Sequence, residues 1–450
     1  MRWTLIALAC FFVGNTKAQD TVRLSLPEIL QLAESNYPKL KSNRYELEAS
    51  KANIKLQQQT IIPQLDATYQ ANLATHNNIT GMLQPQYVLP ISGPPSSEND
   101  YSPVTGSAAS LLFQWQPGIF GDRKSKINLA AAASQTLQSK NAQEIFNHKV
   151  KVCNQFIDIV YYRHLLNLYE ENIHISERQL KQVNVLAVTG LKPGIDTALI
   201  QAELSRTRIE WLKIKNAYDN ILLSLQESVA SDSIIINSDT SFYNTVPAAT
   251  ANDTIEHPFG KTARLTIEES KTNRITISKL TAPRLSFWGT TYARGSGVDY
   301  TGAIKSFNGF NLNRFNYGVG VQLSVPILNH TEVKTRLQQQ DLIIRSDQEK
   351  LNQVTLALKK QRKLSEATFL NAIAVIKETP VQVNAAEYAF NAMQVRYTTG
   401  LVNYSELLQT QFALLKAKIE QARSQAELWK ALLLKAAVYG DLNLFINQVK

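Results

Sequence analysis

The residues able to do chemistry are few and scattered. Six histidines, at 76, 148, 164, 174, 257 and 330, show none of the close pairings of a metal site such as H-E-x-x-H, and no cysteine pair accompanies them. No phosphate-binding G-x-x-x-x-G-K, no G-x-G-x-x-G after a strand pattern and no G-x-S-x-G is present. His164 and His174 lie in a helical stretch among Tyr and Leu, where a packing or surface role outweighs metal binding. The expectation is a protein that is not an enzyme and needs no metal or cofactor. The titratable residues that do show order are two acids, Asp196 and Glu406. Each follows a repeated triplet, Thr189-Gly190-Leu191 and Thr399-Gly400-Leu401, at the start of a helical run. A carboxylate in the first turn of a helix is stabilised by the macrodipole whatever else it does.

The chain before these residues opens with Arg2, an apolar run Leu5 to Val13 and the small-x-small site Thr16-Lys17-Ala18, which predicts a signal peptide over 1–18. A lipobox reading, Ala7-Leu8-Ala9-Cys10, competes with it, but the apolar stretch before Cys10 is short. With Cys10 removed, Cys153 has no partner for an intrachain disulfide, so stability rests on packing and assembly. The net charge of +10 is spread out, and short basic groups such as Arg123-Lys124-Ser125-Lys126 sit at helix starts. That predicts a solvated or headgroup-facing surface and no nucleic-acid partner. After the leader no apolar run approaches the roughly 20 residues of a membrane-spanning helix.

Two kinds of element alternate along the rest. Neither Gly nor Pro occurs between Asp122 and Thr189, and the composition there favours helix; at 1.5 Å per residue such a run spans about 100 Å. A second run covers about 331–398 with only Pro380 inside, and Leu337, Ile344, Leu351 and Leu358 recur in it at heptad spacing. Shorter helices are expected over about 195–230 and 401–439. Helices with a narrow apolar seam and two wet sides suit a coiled coil or the wall of a water-filled tube.

Four short segments have the opposite periodicity. Leu65, Ala67, Tyr69, Ala71 and Leu73 alternate with polar residues; so do Ala109, Leu111, Phe113 and Trp115, more weakly Leu285, Phe287, Gly289, Thr291 and Ala293, and cleanly Tyr317, Val319, Val321, Leu323 and Val325. Strands are predicted at about 65–74, 107–116, 285–294 and 317–325, each long enough to cross a bilayer when tilted, in two pairs joined by polar loops.

The order helix, strand, strand, long helix, turn, helix occurs twice, at an offset of about 210 residues: Gln201 meets Gln411, Leu204 meets Leu414, and Ile209-Glu210 meets Ile419-Glu420. The reading is a first repeat over 19–230, a linker or equatorial segment over 231–258 and a second repeat over 259–450. Four strands cannot close a membrane barrel, and open edges in lipid leave N–H and C=O groups unpaired at several kcal/mol each. The chain must therefore assemble about an axis into a hollow conduit. The rival reading is a secreted periplasmic coiled-coil structural or adaptor protein without a barrel, which leaves the alternating segments unexplained.

At this point the sequence resembles the TolC-like outer-membrane efflux and secretion channels. The carriers are the two-fold repeat, Pro63-Gln64-Leu65 and Pro283-Arg284-Leu285 at strand entry, and Arg396-Tyr397-Thr398-Thr399-Gly400-Leu401 followed by Glu406-Leu407-Leu408. The resemblance implies a mainly α fold with transmembrane β structure: a homotrimer in the outer membrane, a 12-strand barrel in lipid and a periplasmic helical barrel. It implies a passive conduit working with a periplasmic adaptor and an inner-membrane pump of RND or ABC type. It also implies adaptor docking at Thr189, Gly190, Leu191, Thr399, Gly400 and Leu401, and a gate at Asp196, Tyr397 and Glu406, whose acids would ring a constriction and favour cations. Gly190 and Gly400 match the turn glycines, where a positive φ is needed. The sequence departs from the family at Val402, where an Arg is usual, and at Gln409, where an acid is usual.

Overall fold

A computed structural model describes residues 23–75, 77, 98–190, 193–231, 234–236, 241–248, 256–299, 301 and 303–449. The expected signal peptide and the lipobox lie outside them. The chain divides into two compact units, Met1–Leu47 with Gln138–Arg264 and Glu349–Lys450, and Glu48–Leu137 with Leu265–Gln348. The elements in order are β1 (Arg23–Leu24), α1 (Leu26–Asn36), α2 (Pro38–Gln59), β2 (Gln64–Ala74), β3 (Val104–Trp115), α3 (Asp122–Val188) and α4 (Gly194–Val229). After them come β4 (Ile235–Ile236), α5 (Pro258–Ser278), β5 (Arg284–Ser296), β6 (Arg314–Ser324), α6 (His330–Thr398), α7 (Tyr404–Tyr439) and α8 (Asn443–Ile446).

The strand-bearing unit is built on one antiparallel sheet in the order β2-β3-β5-β6. Its register puts the apolar sets side by side: Leu65 faces Phe113, Ala67 faces Leu111, Phe113 faces Gly289 and Gly289 faces Val319. Because side chains alternate across a strand, one face of all four strands is thereby made only of Leu, Ala, Tyr, Thr, Ser, Phe, Trp, Gly and Val. Every charged residue of the strands, Asp66, Arg284, Arg294 and Arg314, falls on the opposite face. On that face Trp288 lies over two glycines. A Cβ at Gly320 would stand 2.7 Å from the indole ring, and one at Gly318 3.4 Å. β5 extends beyond the alternating core at both ends, and β3 begins at Val104, where Gly106 and Ser107 hide the alternation from a reader of the sequence.

In the same unit Asn273 and Ser270 of α5 are tied to α6: Asn273 Nδ2 donates to Gln340 Oε1 at 3.0 Å, and Ser270 Oγ donates to Asp347 at 2.7 Å. These contacts lie on a seam. From Val333 to Tyr397 the buried and half-buried positions of α6 include a series spaced by alternating steps of four and three residues, broken only by two consecutive steps of four through Val354, Leu358 and Arg362. A repeat of 3.5 is that of a left-handed supercoil. Pro380 sits inside the helix, and the seam keeps its spacing across it. The Ile376 carbonyl that its missing N–H leaves free accepts from Thr379 Oγ1 at 3.3 Å.

The helical unit has a dense core that includes Leu26, Ile29, Ile157, Leu225, Phe369, Trp429, Leu432 and Phe445. Trp429 is fully buried, packs edge-on against Phe242 at 5.1 Å and donates its Nε1 to the Tyr243 carbonyl. Cys153 lies in this core with its thiol pushed up to about 12 by burial, and is inert. Two buried histidines cap helices: His148 meets the Ser228 carbonyl at the end of α4 at 2.8 Å, and His257 the Ala437 carbonyl at the end of α7 at 3.0 Å. Each of those helices then stops on a left-handed residue, Ala230 and Gly440.

Candidate functional site

Both Thr-Gly-Leu triplets close a long helix, and they do so with the same hydrogen bonds. Thr189 Oγ1 donates to the carbonyls of Val185 and Leu186, as Thr399 Oγ1 does to those of Val395 and Arg396. The Gly190 N–H donates to Ala187 and the Gly400 N–H to Tyr397, both at 3.1 Å. The two glycines have φ of +74° and +80°, and a Cβ would meet nothing within 4 Å. Glycine stands here for its backbone conformation and not for lack of room. Leu191 lies outside the described residues; Leu401 is 72% exposed.

After the second turn α7 starts at Tyr404, three residues later than the pattern predicts. Asn403 stands as N-cap, its side chain accepting the Glu406 N–H at 3.0 Å, and an extended cap residue ends the turn there. After the first turn α4 starts at Gly194 behind Pro193, with no side-chain cap.

The paired acids are not equivalent. Asp196 is 6% exposed and accepts the Tyr397 hydroxyl at 3.2 Å, a contact from α6 to α4 across 201 residues of sequence. Burial, reinforced by the Asp196 carboxylate, raises the Tyr397 phenol, so it remains a protonated donor. Glu406 is exposed, in the first turn of α7. The structure thus brings Asp196 and Tyr397 together and places Glu406 apart from that bond. Val402, where the family has its Arg, is partly buried against the apolar cluster of Val183, Ile200, Phe390, Tyr397, Tyr404 and Leu407.

Above that cluster α3, α4 and α7 are joined by a buried polar ladder. Tyr404 Oη donates to Gln179 Oε1 at 3.3 Å, Gln411 Nε2 to Asn172 Oδ1 at 3.0 Å, and Asn172 Nδ2 to Thr207 Oγ1 at 3.4 Å. Thr207 donates in turn to Glu203, which Arg206 grips through two nitrogens at 2.9 and 3.0 Å while its guanidinium lies over the Phe412 ring. Burial raises the Glu203 carboxyl, and Arg206 opposes it. The repeat draws attention to Gln411, as the counterpart of Gln201, but to none of its partners on α3. The signal that finds them is polar side chains at helix-seam spacing, Asn172, Ser176 and Gln179, one step before the apolar Val183. Such residues fix register where an all-apolar seam could slip. Beside the turns a groove of about 560 Å³ runs between α3, α6 and α7, lined by Val183, Val185, Leu186, Tyr397 and Leu407 with polar neighbours.

Among the described residues no helix is long and apolar enough to cross a membrane. The outer membrane efflux protein family matches residues 29–231 and 278–433. Of the solved structures, VceC of Vibrio cholerae is similar with a TM-score of 0.70 at 12% identity, covering 92% of this chain and 96% of that one. CmeC of Campylobacter jejuni gives 0.74 at 11%, covering 92% and 85%, and the open state of MtrE of Neisseria gonorrhoeae 0.68 at 13%, covering 93% and 90%. A search of curated proteins returns no match. The two matched stretches fall on the two sequence repeats and take in most of the chain. They set aside the barrel-free rival: the chain belongs to the TolC-like outer membrane efflux protein family, and is an outer-membrane efflux channel with a periplasmic helical part, not an enzyme.

Proposed function

We propose that three copies of this chain close into one conduit, with twelve strands in lipid and the helices forming a tube on the periplasmic side. The observation that carries this is the sheet. Its outermost strands, β2 and β6, are 11 residues each, without a partner on their outer edges among the described residues and antiparallel in direction, and an edge cannot be left open in lipid. Pairing β6 of one copy with β2 of the next keeps every neighbour antiparallel, and the uncharged face meets the lipid all the way round. The reading keeps the sequence division into two repeats, 19–230 and 259–450, joined by 231–258. The conduit is passive; a periplasmic adaptor and an inner-membrane pump, of RND or ABC type, supply cargo and energy.

The adaptor docks at the turns, on Thr189, Gly190, Leu191, Thr399, Gly400 and Leu401, and the groove between α3, α6 and α7 is supporting ground for an apolar helix. The gate divides its labour. The buried Tyr397–Asp196 bond is a latch holding α6 against α4, and Glu406 is the acid free to face a constriction. This is consistent with the replacement of the family's Arg and acid by Val402 and Gln409, which removes other polar links and leaves more of the closure to the latch.

The purified full chain in planar bilayers tests the conduit. A heat-sensitive trimer with single-channel conductance is expected, and a monomer without conductance overturns it. In the same assay Tyr397→Phe is expected to raise the open fraction several-fold, and Glu406→Gln to weaken block by divalent cations. Unchanged behaviour in both removes the gate.

A further inference from the structure

The charged face of the sheet is uneven. Of its four charged residues Asp66 and Arg284 lie near the ends of β2 and β5 that adjoin helices, whereas Arg294 and Arg314 lie at the loop end of β5 and β6. These two arginines are direct register partners. Side chains opposite each other on neighbouring strands have Cβ atoms about 5 Å apart, and like charges there are destabilising. Both are exposed, and among the described residues neither makes an ion pair. Their row continues through Ala108 and Gln70, so the sheet supplies no acid at that level. The nearest loop acid in sequence, Asp299, is engaged by Thr301, the Ala303 N–H and Lys305.

We infer that the Arg294–Arg314 pair is a binding site for multivalent anions in transit at the outer end of the lumen, with phosphate, sulfonate or carboxylate groups as the chemistry recognised. A guanidinium offers a planar fork to each such group, and two forks side by side match an anion with two or more of them. The pair lies on the polar face, away from lipid, so the ligand is a solute in the bore and not a headgroup. The inference rests on the trimeric conduit, in which threefold repetition gathers six guanidiniums round the exit. It gives the channel opposite preferences at its two ends: acidic Glu406 at the inner turns and a basic ring at the outer mouth.

The test uses the full-length trimer in bilayers of phosphatidylcholine alone, which removes anionic lipid as a source of the effect. Pyrophosphate is added on the side of the strand loops, and the half-blocking concentration of single-channel current is read. Block of the native channel is expected, with Arg294→Lys/Arg314→Lys within a few-fold of it and Arg294→Gln/Arg314→Gln at least tenfold weaker. Equal block in the Gln double variant, or no block in the native channel, overturns the site, while a trimer without any conductance overturns the conduit itself. Should the Gln double variant fail to assemble, Arg314→Gln alone, at the first residue of β6, is expected to weaken block several-fold, and unchanged block there overturns the proposal equally.

Discussion

The two units of this chain solve the problem of apolar surface in opposite ways. In the helical unit Trp429, Tyr404, Phe445 and Leu26 are 1% exposed or less. In the strand-bearing unit Tyr69 is 61% exposed, Val319 82% and Tyr317 81%. The first unit closes a core within one chain and is stabilised by that burial in water, although single apolar residues such as Val188, Tyr388 and Val395 stay exposed on its surface. The second leaves them bare on an uncharged face, and in an outer-membrane channel the partner of such a face is lipid. The same residue types mean a finished core in one place and an unfinished assembly in the other.

Substitutions in each unit sharpen that contrast. The largest effect is expected in the helical core. Trp429→Ala removes the ring that Phe242 and Phe445 pack against, and should cost about 3–5 kcal/mol, read as a lowered thermal transition of the helical circular-dichroism signal in detergent. Val319→Arg puts a charge on the bare face near mid-strand, and should cost about 2–4 kcal/mol of membrane insertion, read as loss of the folded trimer from vesicles. Asn316→Arg, on the other face of the same strand, should insert normally. Equal loss from both would mean that lipid does not distinguish the two faces, against the assignment of the uncharged face to lipid.

A smaller effect separates the units by pH. His148 and His257 cap helix ends in the helical unit only, and burial, the largest cause, lowers both from their ordinary value of 6.5. The folded state holds them neutral, while the unfolded chain takes up protons below about 6.5. Their contribution is therefore complete above that pH and is lost as pH falls below it. Glu203, raised by burial, works in the opposite direction, so the histidine share is read as a difference. The helical transition should fall between pH 7 and 5, and fall less in His148→Gln.

Most of the architecture is legible in the sequence because it rests on periods. A single face of lipid imposes a strict period of two, which shows in Leu65 to Leu73 and Tyr317 to Val325. A long exposed helix must exclude Gly and Pro, which shows between Asp122 and Thr189. The repeat placed the two turns, and the shared hydrogen bonds of Thr189 and Thr399 are its physical content. The split between Asp196 and Glu406 was not legible, because it depends on which acid a tyrosine on another helix reaches. The parallel pairing of β1 with β4, two residues each, was hidden for the same reason, since long-range partners leave no local pattern; the ladder from Asn172 to Glu203 showed its seam spacing but not its partners.

The indole of Trp288 lying across Gly318 and Gly320 has a consequence for what can pass. In the proposed trimer, an aromatic ring standing upright on the inner wall would narrow the passage by its own length three times over. Two absent methyl groups on the neighbouring strand let it recline instead. Restoring one at Gly320 would push the ring off its bed and into the path of the cargo, so the free width at this level is set by the two smallest residues on the wall as much as by its largest.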